Sequence, residues 1–215
     1  MSTRIGPRTE VMRNSRRMRF NKKEFTLLLS LIFILLSSTR ELQANDVGRA
    51  SIAIYGGPSS PTPLLDLVQL KVPTLAPYYS LNSALNYPYF RYSELFALEV
   101  EASCSLYSES IKNTSFQGAG LLRWLATPWN KVIKSSLAIG VGLSYALSPP
   151  EIELQVLPRT SRLLMHVILE YAADLDKSSS WQGLFRIHHR SGAYGLFDGV
   201  VGGSDYLCLG IRYKI

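Results

Sequence analysis

Two cysteines in 215 residues are too few for a disulfide framework or a cysteine-based zinc site. Charged residues make up only 18% of the chain, whereas hydrophobic residues make up 47% and aromatic residues 11%. This composition excludes a disordered chain and a coiled coil. Beyond the leader described below, no stretch reaches the ~18 continuous apolar residues that a membrane-spanning helix needs. The composition therefore indicates one β-rich or membrane-associated domain.

The positive charge is concentrated at one end of the chain. Residues 1–44 hold nine Lys or Arg against three Glu, so they carry +6 of the total net charge of +7. The remaining residues are close to neutral. Without a basic patch in the body of the chain, we expect no nucleic-acid partner.

The first 44 residues have the layout of a secretory signal peptide. A basic stretch precedes the apolar run Phe25–Leu36, and small and polar residues follow as far as Ala44. We expect cleavage after Ala44, which gives a signal peptide over 1–44 and a β-barrel over 45–215. A retained signal anchor is the alternative, and the long basic region leaves the start open between Met1, Met12 and Met18.

The body of the chain alternates with period two, which is typical of strands with two unlike faces. In 133–145, for example, Leu137, Ile139 and Val141 alternate with small or polar residues. The segments that behave in this way are 48–55, 64–72, 94–107, 116–126, 133–145, 162–175, 181–191 and 205–215, of which the first two are weaker. They predict an all-β fold, an eight-stranded antiparallel transmembrane β-barrel, with residues 73–93 left unplaced.

Charges on the face opposite the apolar rows favour a membrane barrel over a soluble barrel with a lipocalin-like apolar interior. That face carries many small residues and four charged side chains predicted at mid-strand: Arg162, Glu170, Arg186 and Arg212. Small and ion-paired residues suit a narrow lumen, whereas charges facing lipid are costly. We expect Arg190, His166 and His188 in the same interior, and Glu151 and Glu153 in a solvated loop. Cys104 and Cys208 fall on opposite faces, which argues against a disulfide between them.

Three polar residues interrupt the apolar, outward rows near one end of the last two strands. His189 and Ser191 continue the row of the seventh strand, and Asp205 begins that of the eighth. A serine hydroxyl becomes nucleophilic when a neighbouring imidazole takes its proton, and a carboxylate can fix the tautomer of that imidazole. The three residues predict an activated serine nucleophile on the outer wall, which an acylated lipid could reach from the membrane, with Asp198 in the intervening loop as a rival carboxylate.

His189-Arg190-Ser191, followed by Gly203-Ser204-Asp205 and a final aromatic strand, resembles the lipid A 3-O-deacylases of Gram-negative outer membranes, the PagL-type, acyloxyacyl-hydrolase-like proteins. The resemblance implies an eight-stranded outer-membrane barrel that hydrolyses the ester-linked 3-hydroxyacyl chain of lipid A, with lipopolysaccharide as substrate and without a metal or cofactor. His189, Ser191 and Asp205 would be the catalytic residues.

Two positions depart from the pattern of that family. The family has Glu where this chain has Asp205, and it has an oxyanion-hole Asn where this chain has Gly192. The backbone N–H of Gly192 or Ala193 could replace the amide donor. A catalytically inactive structural or adhesive barrel of the same fold is the alternative function, and the sequence leaves open whether the barrel forms a homodimer.

Overall fold

The computed structural model describes residues 49–108, 110–176 and 179–215, and the predicted signal peptide and its cleavage site lie outside them. Eight strands form most of this part of the chain. They are β1 (Ser51–Ser60), β2 (Ala76–Tyr92), β3 (Phe96–Tyr107), β4 (Ser110–Trp124), β5 (Ser135–Ala146), β6 (Leu163–Asp174), β7 (Trp181–Ser191) and β8 (Gly203–Lys214).

The strands close into an antiparallel barrel in which each pairs with its neighbours in the chain and β1 pairs with β8. Two short helices, α1 (Leu64–Val68) and α2 (Glu151–Val156), lie in the β1–β2 and β5–β6 connections. A 3₁₀ turn over Ala193–Gly195 lies between β7 and β8. The all-β, eight-stranded fold predicted from the alternation is therefore confirmed. None of the helices in the described ranges is long and apolar enough to cross a membrane.

The period-two alternation separates an apolar outer surface from a polar interior. On β1, for instance, Ile52 and Ile54 are 47% and 55% exposed, whereas Ala53 and Tyr55 are each 1% exposed. Eight strands leave an interior just wide enough for side chains to fill. The interior of this barrel is accordingly a packed and mainly polar core.

The prediction of a strand over 64–72 is wrong, and the second strand is instead β2, within the segment that the sequence left unplaced. Residues 64–68 form α1, which begins directly after Pro63. On β2 the ladder shifts register between Pro88 and Phe90. Proline cannot donate to a ladder and is tolerated at such an irregularity, so Pro88 does not end the strand.

A network of three arginines and three glutamates occupies the barrel interior. Glu170 lies at its centre, with one carboxylate oxygen 2.9 Å from Arg123 and 2.6 Å from Arg212. Its other oxygen accepts from Nε of Arg186 at 2.8 Å. Arg186 also pairs with Glu101 at 2.7 Å, and Arg123 pairs with Glu99 at 2.6 Å. The charges balance, as burial of ions requires.

Two predictions about charged residues near the β5–β6 connection are wrong. Glu153 is not solvated: its carboxylate and the guanidinium of Arg190 are both 0% exposed and lie 2.8 Å apart. α2 carries Glu153 inward, and a buried carboxylate is stable there because Arg190 pairs with it. Arg162 is not at mid-strand, since it precedes β6 and is exposed. The other three charged residues predicted at mid-strand, Glu170, Arg186 and Arg212, do lie in the interior. Cys104 and Cys208 are free thiols and form no disulfide with each other.

Candidate functional site on the outer wall

The register of β7 against β8 brings the predicted site residues together. His189 is the cross-strand partner of Asp205, and Ser191 is the partner of Gly203. Their neighbours Arg186, His188 and Arg190 are 0% exposed inside the barrel. Because successive side chains of a strand point to opposite faces, His189, Ser191 and Asp205 project from the outer wall.

The imidazole of His189 and the carboxylate of Asp205 are in direct contact. Nδ1 of His189 lies 2.8 Å from Oδ1 of Asp205, and the two side chains are 12% and 7% exposed. In the neutral tautomer that fits this contact, Nδ1–H donates to the carboxylate and Nε2 is left as a proton acceptor. The pair thus has the arrangement of a general base and its orienting acid.

Ser191 lies beside this pair, but its hydroxyl is turned towards the following loop. Oγ of Ser191 accepts a hydrogen bond from the N–H of Ala193 at 3.2 Å. Among the hydrogen bonds found within the described ranges, none joins Ser191 to His189. Catalytic hydrogen bonds are often long or unformed without substrate, and rotation about χ1 can bring a serine hydroxyl towards a base two residues away on the same face.

The two predicted oxyanion donors differ in their availability. The N–H of Gly192 donates to the carbonyl of Gly202 at 3.0 Å, so this conformation leaves it no capacity for a substrate. The N–H of Ala193 donates to the hydroxyl oxygen of Ser191 instead of to a backbone carbonyl. Ala193 and Tyr194 have φ of 47° and 57°, a left-handed conformation that is uncommon away from glycine and is often found at functional sites.

Close packing explains why glycine occupies position 192. A Cβ there would lie 2.1 Å from the carbonyl oxygen of Val200 and 2.5 Å from its Cβ. Any larger residue would push the β7–β8 connection away from the end of β7. An asparagine side chain therefore does not fit at this position in the present backbone.

Gly203 has a similar steric role beneath the histidine ring. A Cβ at Gly203 would lie 1.9 Å from the carbonyl oxygen of Arg190 and 3.0 Å from Cε1 of His189. The absence of a side chain lets β8 approach β7 closely at the position opposite Ser191. The ring of His189 can consequently lie across the strand pair towards Asp205.

Side chains in the barrel interior fix the end of β7 on the face opposite the site. Arg190, between His189 and Ser191 in the chain, binds Glu153 and donates to Oγ of Ser144 at 2.8 Å. His166 Nδ1 donates to the carbonyl of His189 at 3.1 Å. As predicted, His166 and His188 are interior residues, and their ring centroids are 4.4 Å apart. The backbone that carries the site is thus tied to a rigid core.

The rival carboxylate does not join the site. Asp198 pairs with Arg159 at 2.9 Å, and both side chains are more than half exposed. This contact links the β7–β8 connection to the β5–β6 connection. Asp205, rather than Asp198, is therefore the acid in contact with the histidine.

Sequence reasoning missed one element next to the site. Ser60, at the end of β1, is the cross-strand partner of Asp205 on β8. Its hydroxyl donates to the carbonyl of Thr74 at 2.8 Å, and the N–H of Thr74 donates to Oγ1 of Thr62 at 2.9 Å. These bonds close the base of the β1–β2 connection beside Asp205. Spacing alone could not show this, because the register of β1 on β8 depends on barrel closure.

No family model matches the chain, and no curated protein matches it.

Proposed function

We propose that the protein is an outer-membrane esterase that removes the 3-O-linked 3-hydroxyacyl chain of lipid A, remodelling lipopolysaccharide. The observation that carries the proposal is the 2.8 Å contact between His189 and Asp205 on the outer wall, beside Ser191. The motif His189-Arg190-Ser191 supports lipid A as the substrate through its resemblance to the deacylases.

The distribution of side chains supports a membrane location. Large apolar side chains remain exposed on the outer surface of the strands, including Leu85, Ile139 and Leu209. The charged residues of the interior are paired with one another instead of facing outward. A bilayer favours this arrangement, whereas a soluble barrel favours the reverse. With both barrel ends of the chain periplasmic, β7 runs outward and the site lies at the depth of the outer leaflet.

The proposed reaction proceeds through an acyl-enzyme. Oγ of Ser191 attacks the ester carbonyl while Nε2 of His189 takes its proton, and Asp205 stabilises the imidazolium. The tetrahedral intermediate collapses, its carbon–oxygen bond to the sugar breaks, and His189 returns the proton to the sugar oxygen. Water, activated by the same histidine, then hydrolyses the serine ester and releases the 3-hydroxy fatty acid. The N–H of Ala193, which donates to Oγ of Ser191, is the donor proposed for the oxyanion.

A catalytically inactive structural or adhesive barrel is the second candidate. Two observations favour this candidate. The N–H of Gly192 is already bonded to the carbonyl of Gly202, and the hydroxyl of Ser191 points to Ala193 rather than to His189. Loss of one oxyanion donor costs about 100- to 1000-fold in rate. An assay must therefore detect slow turnover.

The test compares lipid A from Gram-negative cells that produce the wild type with lipid A from cells that produce Ser191→Ala. Ser83→Ala is a matched control, because Ser83 also faces outward but lies on β2. We expect mass spectrometry to show loss of one 3-hydroxyacyl chain with the wild type and the control, and intact lipid A with Ser191→Ala. Identical acylation in all three would support the inactive barrel.

A further inference from the structure

The β1–β2 connection, residues 61–75, bounds an open groove on the barrel. The groove has a volume of about 750 Å³, within the ~300–1,000 Å³ range typical of ligand sites. One side consists of residues 67, 68 and 70–73, and the other is formed by residues of β3 to β8, among them Leu122, Leu169, Ile187 and Leu207.

Two of the groove residues are strand neighbours of the proposed catalytic residues. Ile187 precedes His189 by two positions on β7, Leu207 follows Asp205 by two positions on β8, and the two apolar residues are cross-strand partners. Two residues of a strand span about 7 Å. The groove therefore begins at Ile187 and Leu207, which are the next outward-facing residue pair after His189 and Asp205 on the same face of the sheet.

The lining indicates what kind of molecule fits. Among the described residues that line the groove, the charged ones are Lys71 and Glu170; most of the others are apolar. Lys71 is paired with Asp66 at 2.6 Å, and Glu170 belongs to the interior arginine network. A peptide would leave its backbone polar groups without partners on such a surface, whereas a hydrocarbon chain has none to satisfy.

We propose that this groove holds the fatty acyl chain of the ester being cleaved, and that residues 67–73 select for chain length. The proposal rests on the proposed function, because it takes Ser191 as the position of the ester carbonyl. Leu67, Leu70 and Val72 all line the groove, but Leu67 is only 6% exposed whereas Leu70 and Val72 are each 91% exposed, so Leu67 is the key side chain. A larger side chain at position 67 narrows the space for the chain.

The kinetic test uses purified mature barrel in mixed micelles, with p-nitrophenyl butyrate and p-nitrophenyl laurate as probes. For Leu67→Trp we expect kcat/KM for laurate to fall about tenfold more than kcat/KM for butyrate, as when a pocket rejects part of a hydrophobic chain. Leu209→Trp is the matched control, because Leu209 faces outward on β8 and is not among the groove residues. The control should keep the wild-type laurate-to-butyrate ratio. Equal losses for both esters in Leu67→Trp would overturn the proposal.

A second experiment does not depend on turnover. A diazirine-labelled C16 fatty acid is photo-crosslinked to Ser191→Ala in phosphatidylcholine vesicles, and the labelled residues are mapped by mass spectrometry. The proposal expects enrichment on residues 67–73 and around Ile187 relative to the outward face of β1 and β2, and it is overturned by uniform labelling. Absence of ester hydrolysis together with enrichment would refute the esterase while leaving an acyl-binding groove.

Discussion

Replacing Glu170 with Gln should destabilise the barrel strongly, because this carboxylate joins three buried arginines. Its side chain is 0% exposed and contacts Arg123, Arg186 and Arg212. The substitution leaves three guanidinium groups facing only two carboxylates, Glu99 and Glu101. Breaking a buried ion pair by removing one partner costs about 3–5 kcal/mol. With an m-value of about 1–3 kcal/mol/M in urea, a loss of about 3 kcal/mol lowers the unfolding midpoint by about 1–3 M.

The assay is a urea titration of the barrel in lipid vesicles, followed by tryptophan fluorescence and by heat-modifiable migration on gels. Glu94→Gln is the control, because it makes the same chemical change in a pair with Arg91 where the Glu94 side chain is 89% exposed. A surface change of this kind shifts stability by no more than about 0.5 kcal/mol. Equal midpoints for Glu170→Gln and Glu94→Gln would refute the reasoning that the interior network stabilises the barrel.

Three further predictions concern the site and its support. Asp205→Asn should keep the fold but lower the deacylation rate by up to about 10⁴-fold, because the amide favours the wrong histidine tautomer; single-turnover kinetics with lipid A would measure this. Gly203→Ala should abolish deacylation in a barrel that still migrates as folded, since its Cβ would lie 1.9 Å from the Arg190 carbonyl; unchanged turnover would contradict the close packing under His189. Glu153→Gln should speed proteolysis of the β5–β6 connection, because it removes the buried charge that pairs with Arg190. Limited trypsin digestion measures this, with Glu151→Gln as the control. Equal digestion of the two variants would count against the prediction.

Most strands could be predicted because their two faces differ sharply in polarity. Where the contrast is strong, as on β5 and β6, the predicted and observed strands differ by two residues or fewer at each end. β2 was missed because Pro88 and several tyrosines obscure its alternation. The apolar stretch 64–72 also alternates, but prolines precede and follow it, and it forms α1 and part of a connection instead.

The spacing of the residues predicts that His189 and Ser191 lie on one face of the strand, but it could not establish which carboxylate contacts His189. The answer depends on the register between β7 and β8, which the connection between them leaves undetermined and the folded barrel fixes. The ion pair between Glu153 and Arg190 was unpredictable for a related reason, since it joins residues from different connections. Sequence periodicity shows the face of a side chain, not its distant partner.

The central claim, that the His189–Asp205 pair activates Ser191, is tested most directly by covalent labelling. The folded barrel is treated with a lipophilic fluorophosphonate, and the modified residue is mapped by mass spectrometry. The account predicts labelling at Ser191 in the wild type and its loss in His189→Ala, with the Leu209→Trp control labelled like the wild type. Absence of label at Ser191, or equal labelling in His189→Ala, would contradict it.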